Sequence, residues 1–207
     1  MTQPFPAQCN VPGPNQVTLN FFKQEVLSKN PAPNVAEIGV YKGDTTLELA
    51  HIMDNKGTIY LFDFRDRIID LTAKLTEKGY ANYVSFGNSR RYFDSYNWEL
   101  ARLLNASKVP LFDYVFIDGA HSWAHDALAF FLCDLLLKPG GYIDFDDYGW
   151  SFGMSATMSP TVFPAIEDLY TEEQIEISNV AMVVDLLVKR NVQYKEIVYN
   201  KIFQKVE

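Results

Sequence analysis

Cysteine is scarce in this chain: two residues out of 207, too few for a disulfide framework. Cys9 lies in a proline-rich stretch, and Cys133 falls inside an apolar helical pattern, where a small buried thiol is expected. Positive charge is also short. The 18 Lys and Arg face 26 Asp and Glu, a net charge of −8, which argues against a surface built to neutralise nucleic-acid phosphates. Arg90–Arg91 is a small local exception. The opening MTQPFPAQ has neither a basic start nor an apolar core, so no signal peptide is expected. The longest apolar run, ALAFFLC at 127–133, stops at Asp134 and is too short to span a bilayer. A soluble cytoplasmic protein, binding neither nucleic acid nor membrane, is the expectation.

The composition that remains is globular, with 48% hydrophobic and 21% charged residues in a length suited to one sizeable domain. Residues 3–16 hold four prolines and no periodicity, so residues 1–17 are read as a flexible arm and 18–207 as the domain. A helical pattern runs from Thr18 to Lys29. Short β-type runs then alternate with helical ones. Strands are predicted at 35–40, 57–64, 83–89, 112–119 and 141–147, with helices at 44–54, 67–79, 90–104 and 122–138 between them. That alternation predicts parallel strands with helices on both faces, an α/β doubly wound sheet. Towards the end a helix is predicted over 161–173. AMVVDLLVKR (181–190) and QYKEIVYNKIFQKV (193–206) are read as an antiparallel hairpin, because the gap between them is too short for a crossover helix. The total is about seven strands.

In open α/β sheets ligands bind beyond the carboxyl ends of the strands. Those positions carry Glu37 to Thr45 after the first strand, Asp63 after the second and Gly87–Ser89 after the third. Asp118 follows the fourth and Asp146–Asp147 the fifth. Gly39 and Gly43 permit a tight turn, and the next helix begins at Asp44 or Thr45, where free amides can hold a carboxylate. Asp63 is placed to grip two ribose hydroxyls. Ending an apolar strand on a carboxylate is costly unless something positive meets it, and this chain does so at both FIDGAHSW (116–123) and GGYIDFDDYGW (140–150).

AEIGVYKGDTTLELA followed by YLFDF resembles the first two motifs of class I S-adenosylmethionine-dependent methyltransferases. FDYVFIDGAHS with LLLKPGGYIDFDDYG is similar to the metal-dependent branch of macrocin and mycinamicin sugar O-methyltransferases, whose site layout the catechol O-methyltransferases share. The resemblance spans about residues 34–150 and implies a seven-stranded Rossmann-like methyltransferase fold closed by a C-terminal hairpin. It also implies S-adenosylmethionine as cofactor. Glu37, Gly39, Tyr41, Gly43 and Thr45 would line its methionine end, Asp63 would bind the ribose, and Asn88 with Ser89 would edge the adenine.

The same resemblance assigns Asp118, Asp146 and Asp147 to one divalent cation. Three carboxylates on adjacent strand ends repel one another unless a cation neutralises them. All-oxygen ligands favour a hard cation, Mg²⁺ first. Coordination makes a poor hydroxyl nucleophile competent, and a base must still take its proton. His121, three residues after Asp118, stands where catechol enzymes carry lysine and mycinamicin-type enzymes carry histidine, and it is the expected general base. Other readings of these residues exist. Asp118 could cap the helix starting near Ser122, and His121 with His125 has the i, i+4 spacing of a chelating pair. Asp144, inside the fifth strand, has no account beyond a polar contact to a neighbouring helix or partner chain. The expected function is metal-assisted O-methylation of a small hydroxylated molecule, a sugar moiety or polyhydroxylated natural product, in a possible homo-oligomer. The alternatives are metal-independent transfer to nitrogen or another nucleophile, and a non-catalytic cofactor-binding domain.

Overall fold

The computed structural model describes residues 13–89 and 95–206. Most of the predicted arm, Cys9, and the start of the helix predicted at 90–104 lie outside the described residues. Helix α1 (Gln16–Phe21) is capped by Asn15, whose Oδ1 accepts from the Thr18 amide, and continues as a π-helical turn over Phe22–Leu27. The elements then follow the predicted rhythm. They are β1 (Asn34–Ile38), α2 (Asp44–Met53), β2 (Thr58–Phe64), α3 (Arg65–Glu77), β3 (Tyr83–Asn88), α4 (Tyr96–Ala106), β4 (Phe112–Ile117), α5 (Trp123–Leu136) and β5 (Leu137–Phe145). After β5 come short helices α6 (Glu172–Glu176) and α7 (Asn179–Val183), then β6 (Tyr194–Val198) and β7 (Ile202–Lys205).

The seven strands form one sheet in the order β3-β2-β1-β4-β5-β7-β6. The first five are parallel, and β7 runs antiparallel between β5 and β6. The doubly wound α/β sheet of seven strands closed by a C-terminal antiparallel hairpin, expected from the sequence, is therefore the sheet observed. Alternation along β4 explains the two cores. Val115 and Ile117 face α4, α5 and α7, while Tyr114 and Phe116 face α1, α2 and α3.

Two expectations about the end of the chain need correction. AMVVDLLVKR is helical rather than a strand: α7 continues as a π-helical turn over Val184–Val188. Val180, Val183, Val184 and Val188 are buried, a helical stripe that its β-branched residues disguise. The hairpin lies wholly inside QYKEIVYNKIFQKV and turns at Asn200, whose φ is 57°. The helix predicted over 161–173 is instead a 3-10 turn (Pro164–Asp168) followed by α6, which starts at a Thr171–Gln174 capping box.

The sheet register builds the site. Ile38 pairs with both Phe62 and Ile117, and Ile117 pairs with Phe145. The backbone ladder extends one step further, with Gly39 N donating to Phe62 O, Asp118 N to Ile38 O, and Asp146 N to Ile117 O, each at 2.8–2.9 Å. Gly39, Asp63, Asp118 and Asp146 therefore stand along one edge of the sheet.

Candidate active site

The turn after β1 depends on its glycines. Gly39 has φ +89°, and a Cβ there would collide with the carbonyl oxygen of Asp118, so the close approach of β1 and β4 excludes any side chain. Gly43, at φ +86°, precedes α2 and would strike Leu71. Between them Val40 N and Tyr41 N both donate to Asp63 Oδ2 at 2.9 Å. Asp63 Oδ1 accepts from Phe64 N at 2.6 Å, and Arg67 Nη1 lies 3.3 Å from both oxygens. The Arg67 guanidinium also covers the rings of Tyr41 and Phe64. Asp63 thus anchors the glycine turn from the neighbouring strand, a role that the sequence did not suggest.

Glu37 is buried in β1 and accepts from Thr46 Oγ1 at 2.7 Å. Burial pushes its carboxyl up to about 8. The Thr46 bond opposes that rise, and the charges of Asp118 and Asp63 add to it. Thr45 Oγ1 accepts from the backbone of Asn15, and exposed Tyr41 holds a left-handed φ of 44°. Asn88 is buried at the end of β3, donating to the carbonyl of Ser89.

Beyond β4, the turn 118–121 is held from below. Tyr96 Oη donates to Asp126 at 2.9 Å and accepts from Ala120 N at 3.1 Å, in space that a side chain at Gly119 would fill. His121 adopts φ 52° and Asp147 φ 53°, so with Tyr41 three of the six left-handed non-glycine residues described stand here. These backbones bring His121 Nε2 to 3.3 Å from Asp118 Oδ1 and 3.7 Å from Asp147 Oδ2. Both contacts are ion pairs once the ring is protonated, although neither meets strict hydrogen-bond geometry. Burial opposes protonation of the ring, yet Asp118 first, then Asp126 and Asp147, outweigh it and lift the pKa to about 9. The ring packs against Trp150, with centroids 4.9 Å apart.

The structure groups Asp118 and Asp147 with His121 rather than with Asp146. One ligand atom from each of the three lies within 4.8 Å of the others. Asp146 takes a different set of partners: its Oδ1 accepts from Asn15 Nδ2 at 2.7 Å and stands 3.5 Å from Lys201 Nζ. Burial raises its pKa to about 6 against the pull of Lys201. Lys201 is buried too, 2.8 Å from Asp144 Oδ1, while Asp144 Oδ2 accepts from Thr18 and Tyr114. Asp144 is thereby explained as the counter-ion of Lys201. A carboxylate inside an apolar strand signals a buried cation, but nothing in the sequence singles out Lys201 as that cation. His125 is not grouped with Asp118, His121 and Asp147, and its Nδ1 pairs with Ser122 Oγ at 2.8 Å. Ser122 rather than Asp118 occupies the cap position of α5.

No helix among the described residues is long and apolar enough to cross a membrane. No curated protein sequence matches the chain. Among solved structures, the fold is similar to an O-methyltransferase from Bacillus cereus in complex with S-adenosylhomocysteine. Identity is 16% and TM-score 0.61, covering 98% of this chain and 84% of that one. It is also similar to the O-methyltransferase TomG from Streptomyces achromogenes, involved in tomaymycin synthesis and complexed with S-adenosylmethionine. There identity is 16% and TM-score 0.60, covering 93% and 81% of the two chains. The S-adenosylhomocysteine-bound Podospora anserina methyltransferase PaMTH1 gives 15% identity and TM-score 0.59, with 92% and 77% covered. These likenesses carry the fold. The sequence itself matches a family over residues 36–148, from the glycine turn through the paired aspartates, and on that match the chain belongs to the methyltransferase domain family.

Proposed function

We propose that this methyltransferase uses S-adenosylmethionine to methylate a hydroxyl oxygen of a small molecule, with a divalent cation held at the strand ends. The observation that carries the proposal is the convergence of Asp118, Asp147 and His121 next to the glycine turn. The names of similar folds, O-methyltransferases among them, support the reaction class.

On this reading the cofactor lies over the turn after β1. The free amides at the start of α2 and the buried Glu37 attend its methionine end, together with Gly39, Tyr41, Gly43 and Thr45. Asp63 takes the ribose, whose hydroxyls would displace the long Arg67 contacts. Asn88 and Ser89 edge the adenine. S-adenosylmethionine supplies an electrophilic methyl group, so the chain has to bind, orient and exclude water.

The residues fit a divalent cation. One ligand atom from each of the three lies within 4.8 Å of the others, and burial raises the Asp147 carboxyl, a burden that a cation would relieve. Asp118 and Asp147 would hold the ion, which when bound lowers the cost of removing a hydroxyl proton. Tyr96 and Asp126 fix the turn that carries Asp118. Trp150 walls the site beside His121. Packed against an apolar ring and lined with carboxylates, the site suits a polyhydroxylated substrate, such as a sugar moiety or natural product.

The test is to incubate the chain with S-adenosylmethionine and a panel of hydroxylated small molecules, following S-adenosylhomocysteine release and locating the new methyl group by mass spectrometry. An O-methyl product that requires added Mg²⁺ or Mn²⁺ supports the proposal. An N-methyl product, or turnover indifferent to metal, contradicts it.

A further inference from the structure

We infer that Arg67 is a latch on the cofactor site: in the free chain it occupies the last acceptor position of Asp63, and the ribose must displace it to bind. The inference rests on the placement of the ribose at Asp63 proposed above, and it adds a residue that sets cofactor affinity.

An ionised carboxylate offers about four lone-pair positions. In Asp63, Oδ2 accepts from Val40 N and Tyr41 N, both at 2.9 Å, and Oδ1 accepts from Phe64 N at 2.6 Å. Those three amides belong to the fold, so one position, on Oδ1, is left for a ligand. Arg67 Nη1 stands on it, 3.3 Å from Oδ1 and 3.3 Å from Oδ2. Asp63 is buried, and a hydroxyl arriving there meets no spare lone pair while the guanidinium stays.

The hold is built to yield. Both contacts are long for a charge-assisted pair, and 34% of the Arg67 side chain is exposed, so the pair itself contributes little. Two rings steady it. The guanidinium carbon lies 5.2 Å from the centre of the Tyr41 ring and 5.5 Å from that of Phe64. Tyr41 and Phe64 also supply amides to Asp63, so the same two residues fix the carboxylate and keep the guanidinium beside it. Arg67 can therefore leave the oxygens and remain on the rings. Its place in the chain is a further sign. It sits in the first turn of α3, where the helix dipole disfavours a cation, and pairing with Asp63 offsets that local cost.

Apparent cofactor affinity is then reduced by the fraction of chains whose latch is open. A partly exposed ion pair steadied by rings sets that factor at about two- to tenfold. The latch acts in the free chain alone, so it slows association and leaves dissociation unchanged.

The experiment compares S-adenosylhomocysteine binding by the full wild-type chain and by Arg67→Met, which keeps an unbranched stem over the rings and removes the donor. Calorimetry gives the affinity and stopped-flow fluorescence the two rate constants, while circular dichroism and urea unfolding establish that the variant is folded. Arg67→Met should bind about two- to tenfold more tightly, through faster association at an unchanged dissociation rate. Raising NaCl from about 0.02 M to about 0.5 M screens the ion pair and should narrow the gap between the two proteins. Equal or weaker binding by Arg67→Met, a gain that comes from slower dissociation, or a gap that salt leaves intact overturns the inference. Failure of both proteins to bind S-adenosylhomocysteine overturns the cofactor reading along with it.

Discussion

Replacing Glu37 with glutamine separates the energetic burden of a buried acid from its use toward the cofactor. Burial, opposed by the Thr46 bond and reinforced by Asp118 and Asp63, raises its pKa from 4.5 to about 8. Between those pH values the folded chain keeps a proton that the unfolded chain releases. The stability this group contributes is therefore complete below pH 4.5 and is lost as pH rises through about 8. At about 1.4 kcal/mol per pKa unit, the loss is on the order of 3 kcal/mol by pH 7 and reaches about 5 kcal/mol at most. Glutamine keeps the size and an acceptor for Thr46 but cannot ionise. Urea unfolding of both proteins without cofactor should show Glu37→Gln gaining a few kcal/mol on the wild type between pH 5 and pH 8. The function follows from the same number. A cofactor that brings positive charge to this carboxyl should drive the proton off, so binding near pH 7 should release protons in the wild type and not in the variant. Calorimetry in buffers of different ionisation enthalpy measures that release. A stability difference independent of pH would refute the reasoning at its first step.

Two other substitutions probe the anchors of the site. Asp63→Ala removes the acceptor of the Val40, Tyr41 and Phe64 amides, and should cost about 2–4 kcal/mol of stability as well as cofactor affinity, since each buried donor left unmet costs about 1–3 kcal/mol. Arg67→Ala should leave stability within about 1 kcal/mol, because that pair is partly exposed and long. Equal losses in the two variants, read by urea unfolding, would contradict the anchoring role of Asp63. Lys201→Met leaves Asp144 buried without its cation and should destabilise by about 3–5 kcal/mol, the cost of breaking a buried pair. Adding Asp144→Asn should recover much of that loss, and an additive double mutant would show that the two do not act as a pair.

The sheet was legible because each of its parallel strands is a short apolar run closed by glycine or an acid. The strand-end register then follows from pairing, which is why Gly39, Asp63 and Asp118 stand where the sequence led one to look. Residues 181–190 misled because Val183, Val184 and Val188 are β-branched residues arranged with helical spacing, and burial against α5 decided the outcome. The partners of Asp144 and Asp146 were beyond reach for another reason. Thr18 and Asn15 are 126 and 131 residues distant in the chain, and no local spacing encodes those contacts. Nor could the sequence tell which of two adjacent aspartates turns toward His121, since Asp146 is held by Lys201 and Asn15, both far away in the chain.

The central claim is that hydroxyl methylation in this chain depends on a cation held by Asp118 and Asp147. Its most direct test is turnover after dialysis against EDTA, with S-adenosylmethionine affinity measured on the same sample and Mn²⁺ or Mg²⁺ then restored. The account predicts that turnover disappears in EDTA, returns with metal, and never returns in Asp118→Asn or Asp147→Asn, while cofactor affinity stays nearly constant throughout. Full turnover in EDTA, or in either variant, would contradict it.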